Sequence, residues 1–281
     1  MISSLIIYRE VYLDTISVII TTYNDSEYLE RSISSVLKQS YLVSELIIVD
    51  DGSDTDEAKV IAKGFINNNQ GIRVVYFYQE NLGPSSAKNK GVELSSSKYI
   101  TFLDADDEYY IDNLECKFKL IKSKNPSSNY IAIYGSYRNS YNNLVEPVMD
   151  MDGIPKTSQI DTVGKKNGIS GSLPSYVILR EKFLEVGGLD ADLPINEDFD
   201  FILRLIKLGF PILGTNKPGF YRDYRPYSHS RSDFLFSSKK QLTFFKKAFK
   251  FNLMSDMEIM KRFGVLSLRL VKFYMTKIFR G

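Results

Sequence analysis

The chain has 281 residues, enough for one large α/β domain or two small ones, with an ordinary hydrophobic share of 43%. Its single cysteine, Cys116, excludes an internal disulfide and a thiolate metal site, and fits a small packing residue in a reducing, cytoplasmic setting. No run reaches the roughly eighteen uncharged apolar residues of a membrane span, and the first stretch carries Arg9, Glu10 and Asp14 with no long apolar core, so no secretory signal is expected.

Residues 16–20, Ile-Ser-Val-Ile-Ile, predict a first strand running into Thr21-Thr22-Tyr23-Asn24. Leu29, Ile33, Val36 and Leu37 then recur at helical spacing, with Asp25 or Ser26 as the cap. A second strand over 46–49 ends in Asp50-Asp51-Gly52-Ser53, and a second helix carries Ala58, Ile61 and Ala62. A third strand over 74–78 leads through Asn81-Leu82-Gly83-Pro84 to a helix over 85–94, and a fourth strand over 99–103 ends in Asp104-Ala105-Asp106-Asp107. Strands alternating with short helices predict a parallel, doubly wound sheet with right-handed crossovers. Beyond it, residues 113–124 read as a helix, 131–137 as a strand, 183–187 as a helix end and 197–208 as a helix stopped by Gly209. Residues 138–172 are polar and aperiodic and predict mobile loops.

The acids fall in four clusters: Asp50-Asp51, Asp104 to Asp107, Asp190-Ala191-Asp192 and Glu197-Asp198. A strand that ends in carboxylates delivers them to the carboxyl edge of a parallel sheet, where open α/β sheets bind ligands. Carboxylates crowded there repel one another unless a cation or a ligand hydroxyl takes up the charge. The pattern therefore predicts a divalent cation and a polyhydroxylated, phosphorylated ligand. On a strand, Asp104 and Asp106 would share one side.

Seven motifs recur in one order: Val18 to Asn24, Ile48 to Asp54, Asn81-Leu82-Gly83, Ala87 to Gly91, Phe102 to Asp107, Gly187 to Asp190 and Asn196-Glu197-Asp198. In this order and spacing they resemble the inverting glycosyltransferases of family two with the GT-A fold, over roughly residues 15–230. The resemblance implies that Thr21 and Tyr23 lie beside the uracil of a UDP-sugar donor, where a ring face and a hydroxyl suit a base. It gives Asp51 the N3 hydrogen of uracil, with Asp50 second, and lets Lys88 neutralise the diphosphate where relatives usually carry Arg. Asp104 is expected on the ribose and Asp106 on Mn²⁺ or Mg²⁺ bridging the phosphates. Asp198 matches the general base, with Glu197 orienting it or touching the acceptor. Ser172, Pro174 and Ser175 resemble the segment that lines the acceptor pocket. One departure stands out: relatives carry Tyr-Arg-x-His after the last helix, whereas Tyr221-Arg222-Asp223 leads here to Tyr224, and the only histidine is His229. Arg222, Arg225 and Arg231 remain as phosphate-facing candidates.

The net charge of +2 hides an asymmetry, because residues 231–281 hold twelve Lys or Arg against three acids. The expected organisation is a catalytic domain over 1–230 and a basic helical extension over 231–281. Residues 258–280 read as an amphipathic helix, with Ile259, Phe263, Leu266, Leu270, Phe273 and Ile278 on one face. That helix suits either an anionic membrane surface, on the inner face of the inner membrane, or packing on the catalytic domain with a solvated basic face. No nucleic-acid motif accompanies the charge, so nucleic acid is not an expected partner. The acceptor expected from the resemblance is a saccharide, carried on a polyprenyl diphosphate in O-antigen, capsule or exopolysaccharide assembly. A sugar nucleotidyltransferase would show a Gly-rich basic loop after the first strand, which Thr21 to Asn24 is not. A non-catalytic nucleotide-sugar-binding module would have no need of Asp104, Asp106 and Asp198 together.

Overall fold

Side-chain alternation along the strands decides how the two faces of the sheet are filled. In a computed structural model, which describes residues 14–67, 71–124, 129–193, 195–223 and 234–280, the first half is a series of strand–helix units. These are β1 (Ile16–Thr22), α1 (Ser26–Leu37), β2 (Glu45–Asp50), α2 (Glu57–Asn67), β3 (Arg73–Tyr78), α3 (Pro84–Leu94) and β4 (Tyr99–Asp104). Then come β5 (Glu108–Tyr109), α4 (Asn113–Lys122), β6 (Ala132–Asn139), β7 (Val145–Glu146), β8 (Met151–Gly153) and α5 (Thr157–Ile160). A 3₁₀ turn (Leu173–Ser175), β9 (Tyr176–Leu179), α6 (Arg180–Glu185), α7 (Glu197–Ile206), β10 (Ile212–Arg222), α8 (Phe234–Lys250) and α9 (Asp256–Arg280) complete the described chain. Arg225, His229 and Arg231 lie outside it.

One ten-stranded sheet runs in the order β3-β2-β1-β4-β9-β6-β10-β5, with β7 on β6 and β8 on β10. Strands β3, β2, β1 and β4 are parallel, whereas β9 is antiparallel to both β4 and β6. In β1, Val18 and Ile20 belong to one buried cluster, with Leu29, Ile33 and Val36 of α1, while Ile19 belongs to the other, with Ala87 and Val92 of α3. That is the period of two expected of a strand buried on both faces. The three α1 side chains are wholly buried, a gain of roughly 1.5–3 kcal/mol each. Asp25 stands at the α1 N-cap but makes no side-chain cap hydrogen bond, so packing rather than capping holds this helix. Gly91 lets α3 settle on the sheet, since a Cβ there would come within 2.3 Å of Ile19 Cγ2.

Residues 138–172 depart from the expected loops. The segment carries β7, β8 and α5 and is tied down by long-range bonds: Val148 N–H donates to Asn216 Oδ1 at 2.8 Å and the Tyr134 hydroxyl to Met149 O at 2.8 Å. Val163 and Ile169 are fully buried. Its partners are distant in sequence, and so local periodicity gave no sign of them. The C-terminal helices pack on the body as well. Lys247 of α8 reaches Asp190 at 2.6 Å and the buried Asp200 at 2.8 Å, and Arg262 of α9 donates to Val163 O at 2.9 Å.

Candidate active site

Strand register lines up the candidate residues. Thr21 pairs with Val49 on one side and Asp104 on the other, and Thr22 pairs with Asp50. The ends of β1, β2 and β4 therefore finish in one row. The connections reverse direction between β1 and β4, and a crevice at such a switch point is where open α/β sheets take their ligands.

The two carboxylates after β2 are used differently. Asp50 is committed within the protein: it accepts from Ser53 N–H at 2.9 Å and from the Tyr76 hydroxyl at 2.8 Å. Burial, then the Asp50 hydrogen bond and charge, push the Tyr76 phenol above its usual range. Asp51 accepts from Gln79 Nε2 at 2.8 Å and Leu82 N–H at 3.0 Å, both through Oδ1. Gly52 turns the chain after Asp51 and packs against Asn81, with φ of +87° and no room for a Cβ, which would stand 2.6 Å from Asn81 N. Thr21 and Tyr23 are half-buried at the end of β1.

Strand β4 ends at Asp104, and Asp107 N–H turns back to donate to Asp104 O at 3.0 Å. Asp106 thus lies on a turn, and strand alternation does not set its direction. The Asp106 carbonyl accepts from Arg31 Nη2 at 2.7 Å. Behind it Asp107 is buried and accepts from Asp223 N–H at 2.9 Å. Burial, and then the charges of Asp104 and Asp106, push the Asp107 carboxyl well above the ordinary range.

Lys88 joins the two halves of the site. It does not lie on a solvated helix face: it is 5% exposed, with Nζ 3.6 Å from Asp104 Oδ1 and 3.5 Å from Asp198 Oδ1. Burial alone would lower its pKa, but Asp104, Asp198 and Glu197 override this and hold it above the usual lysine range. Asp198 Oδ2 also accepts from Leu173 N–H at 3.1 Å, so the base candidate is held from two sides. Asn196, in the left-handed region at φ 63°, swings the chain so that α7 begins with Glu197 and Asp198 at the cleft. Burial, then the neighbouring Asp198 charge, raise the Glu197 pKa, while Lys88 opposes the rise.

Asp104, Glu197 and Asp198 face a cleft of about 750 Å³ lined also by Ser172, Tyr137 and Arg222, among others, whereas Thr21, Tyr23, Asp50, Asp51, Lys88 and Asp106 are not part of its lining. The Arg222 guanidinium sits 5.9 Å from the Tyr137 ring centroid. Ser172 lies on the cleft wall, whereas Pro174 and Ser175 are buried behind it, with Ser175 Oγ bonded to Ser170 Oγ and Ser172 O, both at 2.7 Å. Asp190 does not join the other acids, because its carboxylate is paired with Lys247. The sequence reading missed the Leu173 amide, a backbone group with no side-chain signature. It also missed the part of the cleft lining that comes from Lys165 and Lys166 of the supposed loop and from Gln241, Lys261 and Arg269 of α8 and α9.

More than half of the chain, residues 17–185, matches the model of glycosyl transferase family 2. The chain belongs to that family. A putative teichuronic acid biosynthesis glycosyltransferase, TuaG of Bacillus subtilis, is 30% identical over 82% of this chain and 86% of its own. An uncharacterized glycosyltransferase of Haemophilus influenzae is 43% identical over 68% of this chain and 72% of its own. Uncharacterized glycosyltransferases of Rickettsia, 37–38% identical over under half of this chain, are much longer proteins, of which it spans only 17–20%. Among solved structures, S. aureus TarS 1-349 in complex with UDP-GlcNAc superposes with a TM-score of 0.65 at 17% identity, covering 82% of this chain and 65% of that one. The mannosyltransferase PcManGT of Pyrobaculum calidifontis, in complex with GDP-Man and Mn²⁺, gives 0.62 at 17% identity, covering 85% and 65%. The family 2 chain therefore carries the GT-A fold, followed by C-terminal helices.

Proposed function

We propose that this family 2 glycosyltransferase moves a hexose or N-acetylhexosamine from a UDP-sugar to a saccharide acceptor with inversion at the anomeric carbon. The observation that carries the reading is the meeting of Asp104, from the strand edge, and Asp198, from the start of α7, on either side of Lys88 at 3.6 and 3.5 Å. Donor side and base side thus open on one cleft.

In this reading Thr21 and Tyr23 flank the base, and Asp51, anchored through Oδ1, presents its second oxygen to the N3 hydrogen of uracil. Asp50 closes the turn that holds Asp51. Asp104 accepts from the ribose. A UDP donor is supported by the TarS structures in complex with UDP and UDP-GlcNAc, which share the fold.

The residues present fit a divalent cation. Asp104 and Asp106 are hard oxygen donors beside a buried Asp107 whose ionised form they disfavour. Among the described residues no group of three or more acids, His or Cys is placed to hold a metal. Mn²⁺ or Mg²⁺ would be held by one or two carboxylates with substrate phosphates completing the shell. Asp106 is the residue proposed to hold it, and the bound ion would draw charge from the departing diphosphate. PcManGT, with GDP-Man and Mn²⁺, lends support.

Asp198 takes the proton of the acceptor hydroxyl as that oxygen attacks the anomeric carbon opposite the diphosphate. Leu173 N–H fixes one oxygen of Asp198, leaving the other beside Lys88. Glu197 contacts the acceptor or steadies Asp198. The acceptor is proposed to be a lipid-linked saccharide of a surface polysaccharide, a reading supported by the teichuronic acid relative. Among the described residues no helix is long and apolar enough to cross a membrane. Exposed Phe249, Phe251, Met257, Met260 and Leu268, with the exposed Lys246 and Lys250 nearby, support a surface association of α8 and α9 with anionic lipid on the inner face of the inner membrane. The test is a donor panel: the full chain with Mn²⁺ and separate UDP- and GDP-sugars, with nucleotide release measured with and without a GlcNAc-diphosphate-lipid analogue. Acceptor-stimulated UDP release is expected, and no release from any donor would sink the proposal.

A further inference from the structure

Acidic and basic side chains both line the cleft that holds Asp198. Asp104 and Asp198 gather around the buried Lys88. On α9, Lys261, Val265 and Arg269 line the same cleft and recur at the four-residue spacing that puts them on one helix face. Lys166 lines the same cleft. Neighbouring cations are already neutralised: Lys165 and Arg262 both pair with Glu258 at 2.6 Å. Lys166, Lys261 and Arg269 have no ion pair with any described residue. All three are exposed on the cleft, and unpaired cations in a concave site concentrate anions there.

We infer that Lys166, Lys261 and Arg269 form an acceptor subsite for a phosphate or diphosphate group. The inference rests on the glycosyltransferase reading above, which places the attacking hydroxyl at Asp198. The acceptor then places its attacking hydroxyl at Asp198 and its phosphate at these three cations. Val265 and Leu266, which also line the cleft, give apolar contact to whatever the phosphate carries. The phosphate comes either from a lipid-linked acceptor or from a soluble phosphosugar.

Calorimetric titration of the full-length protein with three probes tests this: an alkyl-diphospho-GlcNAc, the neutral alkyl GlcNAc glycoside with the same tail, and GlcNAc 1-phosphate without a tail. The variants are the double charge reversal Lys261→Glu with Arg269→Glu and, as a milder check on folding, Lys261→Gln with Arg269→Gln. Wild type should bind the phosphorylated probes more tightly than the neutral glycoside. Both variants should weaken phosphorylated-probe binding by about tenfold or more, with the neutral glycoside affected far less. If the alkyl-diphospho probe binds more tightly than the tailless phosphate, the source is lipid; if the two bind equally, it is a soluble phosphosugar. Either result supports the subsite provided the variants lose it. Equal weakening of the phosphorylated and neutral probes, or none, overturns it. So does a loss confined to binding of phosphatidylglycerol vesicles, which would assign the cations to the membrane. Titration needs no turnover, so inactivity of wild type with every donor would refute the enzyme reading while leaving the phosphate subsite to stand or fall on its own data.

Discussion

Replacing Asp198 by Asn separates chemistry from architecture. Asn keeps the size of the side chain, and its amide oxygen can still accept from Leu173 N–H, now 3.1 Å from Asp198 Oδ2. What disappears is the proton acceptor and one charge 3.5 Å from Lys88. At an effective dielectric of about 20 a pair at that distance is worth roughly 5 kcal/mol before desolvation. Lys88 retains Asp104 at 3.6 Å, and Asp198 no longer has to be desolvated as an ion, so the net cost to stability should be about 1–2 kcal/mol. The cost to turnover is larger: removing a general base costs about 10²–10⁴ in rate, or about 3–5 kcal/mol of barrier. The variant should therefore melt close to wild type and bind UDP with nearly the same affinity, while acceptor-dependent UDP release collapses. A coupled nucleotide-release assay and a calorimetric UDP titration read the two quantities separately. Near-wild-type turnover would refute the base assignment; a matching loss of UDP affinity would show that Asp198 serves the donor instead.

Three further outcomes concern stability. Lys117 is fully buried, with Nζ 2.7 Å from Asn113 Oδ1, and burial lowers its pKa from 10.5 to about 7. Between those values the unfolded chain holds the proton and the folded chain releases it, so stability should climb as pH rises from about 7 to 10.5. Lys117→Met should flatten that climb in urea titrations and stabilise the protein near neutrality by about 2–4 kcal/mol, the lysine penalty less the lost hydrogen bond; an unchanged slope would refute it. Glu45 is the opposite case: burial would raise its pKa, but hydrogen bonds from Ser17, Ser96 and Arg73 bring it to about 2. Its contribution is present above 4.5 and is lost as pH falls towards about 2, and Glu45→Gln should remove that acid-side loss at a cost of about 2–3 kcal/mol in thermal melts. Gly91→Ala drives a methyl to within 2.3 Å of Ile19 Cγ2 and should cost about 1–3 kcal/mol. A double-mutant cycle with Ile19→Ala should show coupling, and strict additivity would dismiss the contact.

Local pattern carried the first half of the fold. β1, β2, β3 and β4 announce themselves as apolar runs bounded by turn residues, and their helices follow at the expected spacing. The later strands were less visible for identifiable reasons. β10 carries Asn216, Lys217, Pro218 and Gly219 in its middle, and the pairing with β6 shifts register twice around Pro218. β9 has only four residues, and its place between β4 and β6 is set by neighbours far away in sequence. The same holds for the site. The acids at strand ends could be read from the chain, whereas the burial of Lys88 could not, because lysine next to Asn89 and Lys90 reads as a wet helix face until Asp104 and Asp198 close over it.

The match to the family model stops at residue 185, before α7 begins and well before the C-terminal helices that line part of the cleft. The strand edge that carries Asp104 and the helix that carries Lys261 and Arg269 are thus written in separate stretches of the chain, although Lys166 of the same cleft lies inside the matched part. Mutation can reshape the second without disturbing the first. Under the roles proposed above, donor choice and acceptor choice are then free to drift independently, and two members nearly identical over the matched stretch need not glycosylate the same target.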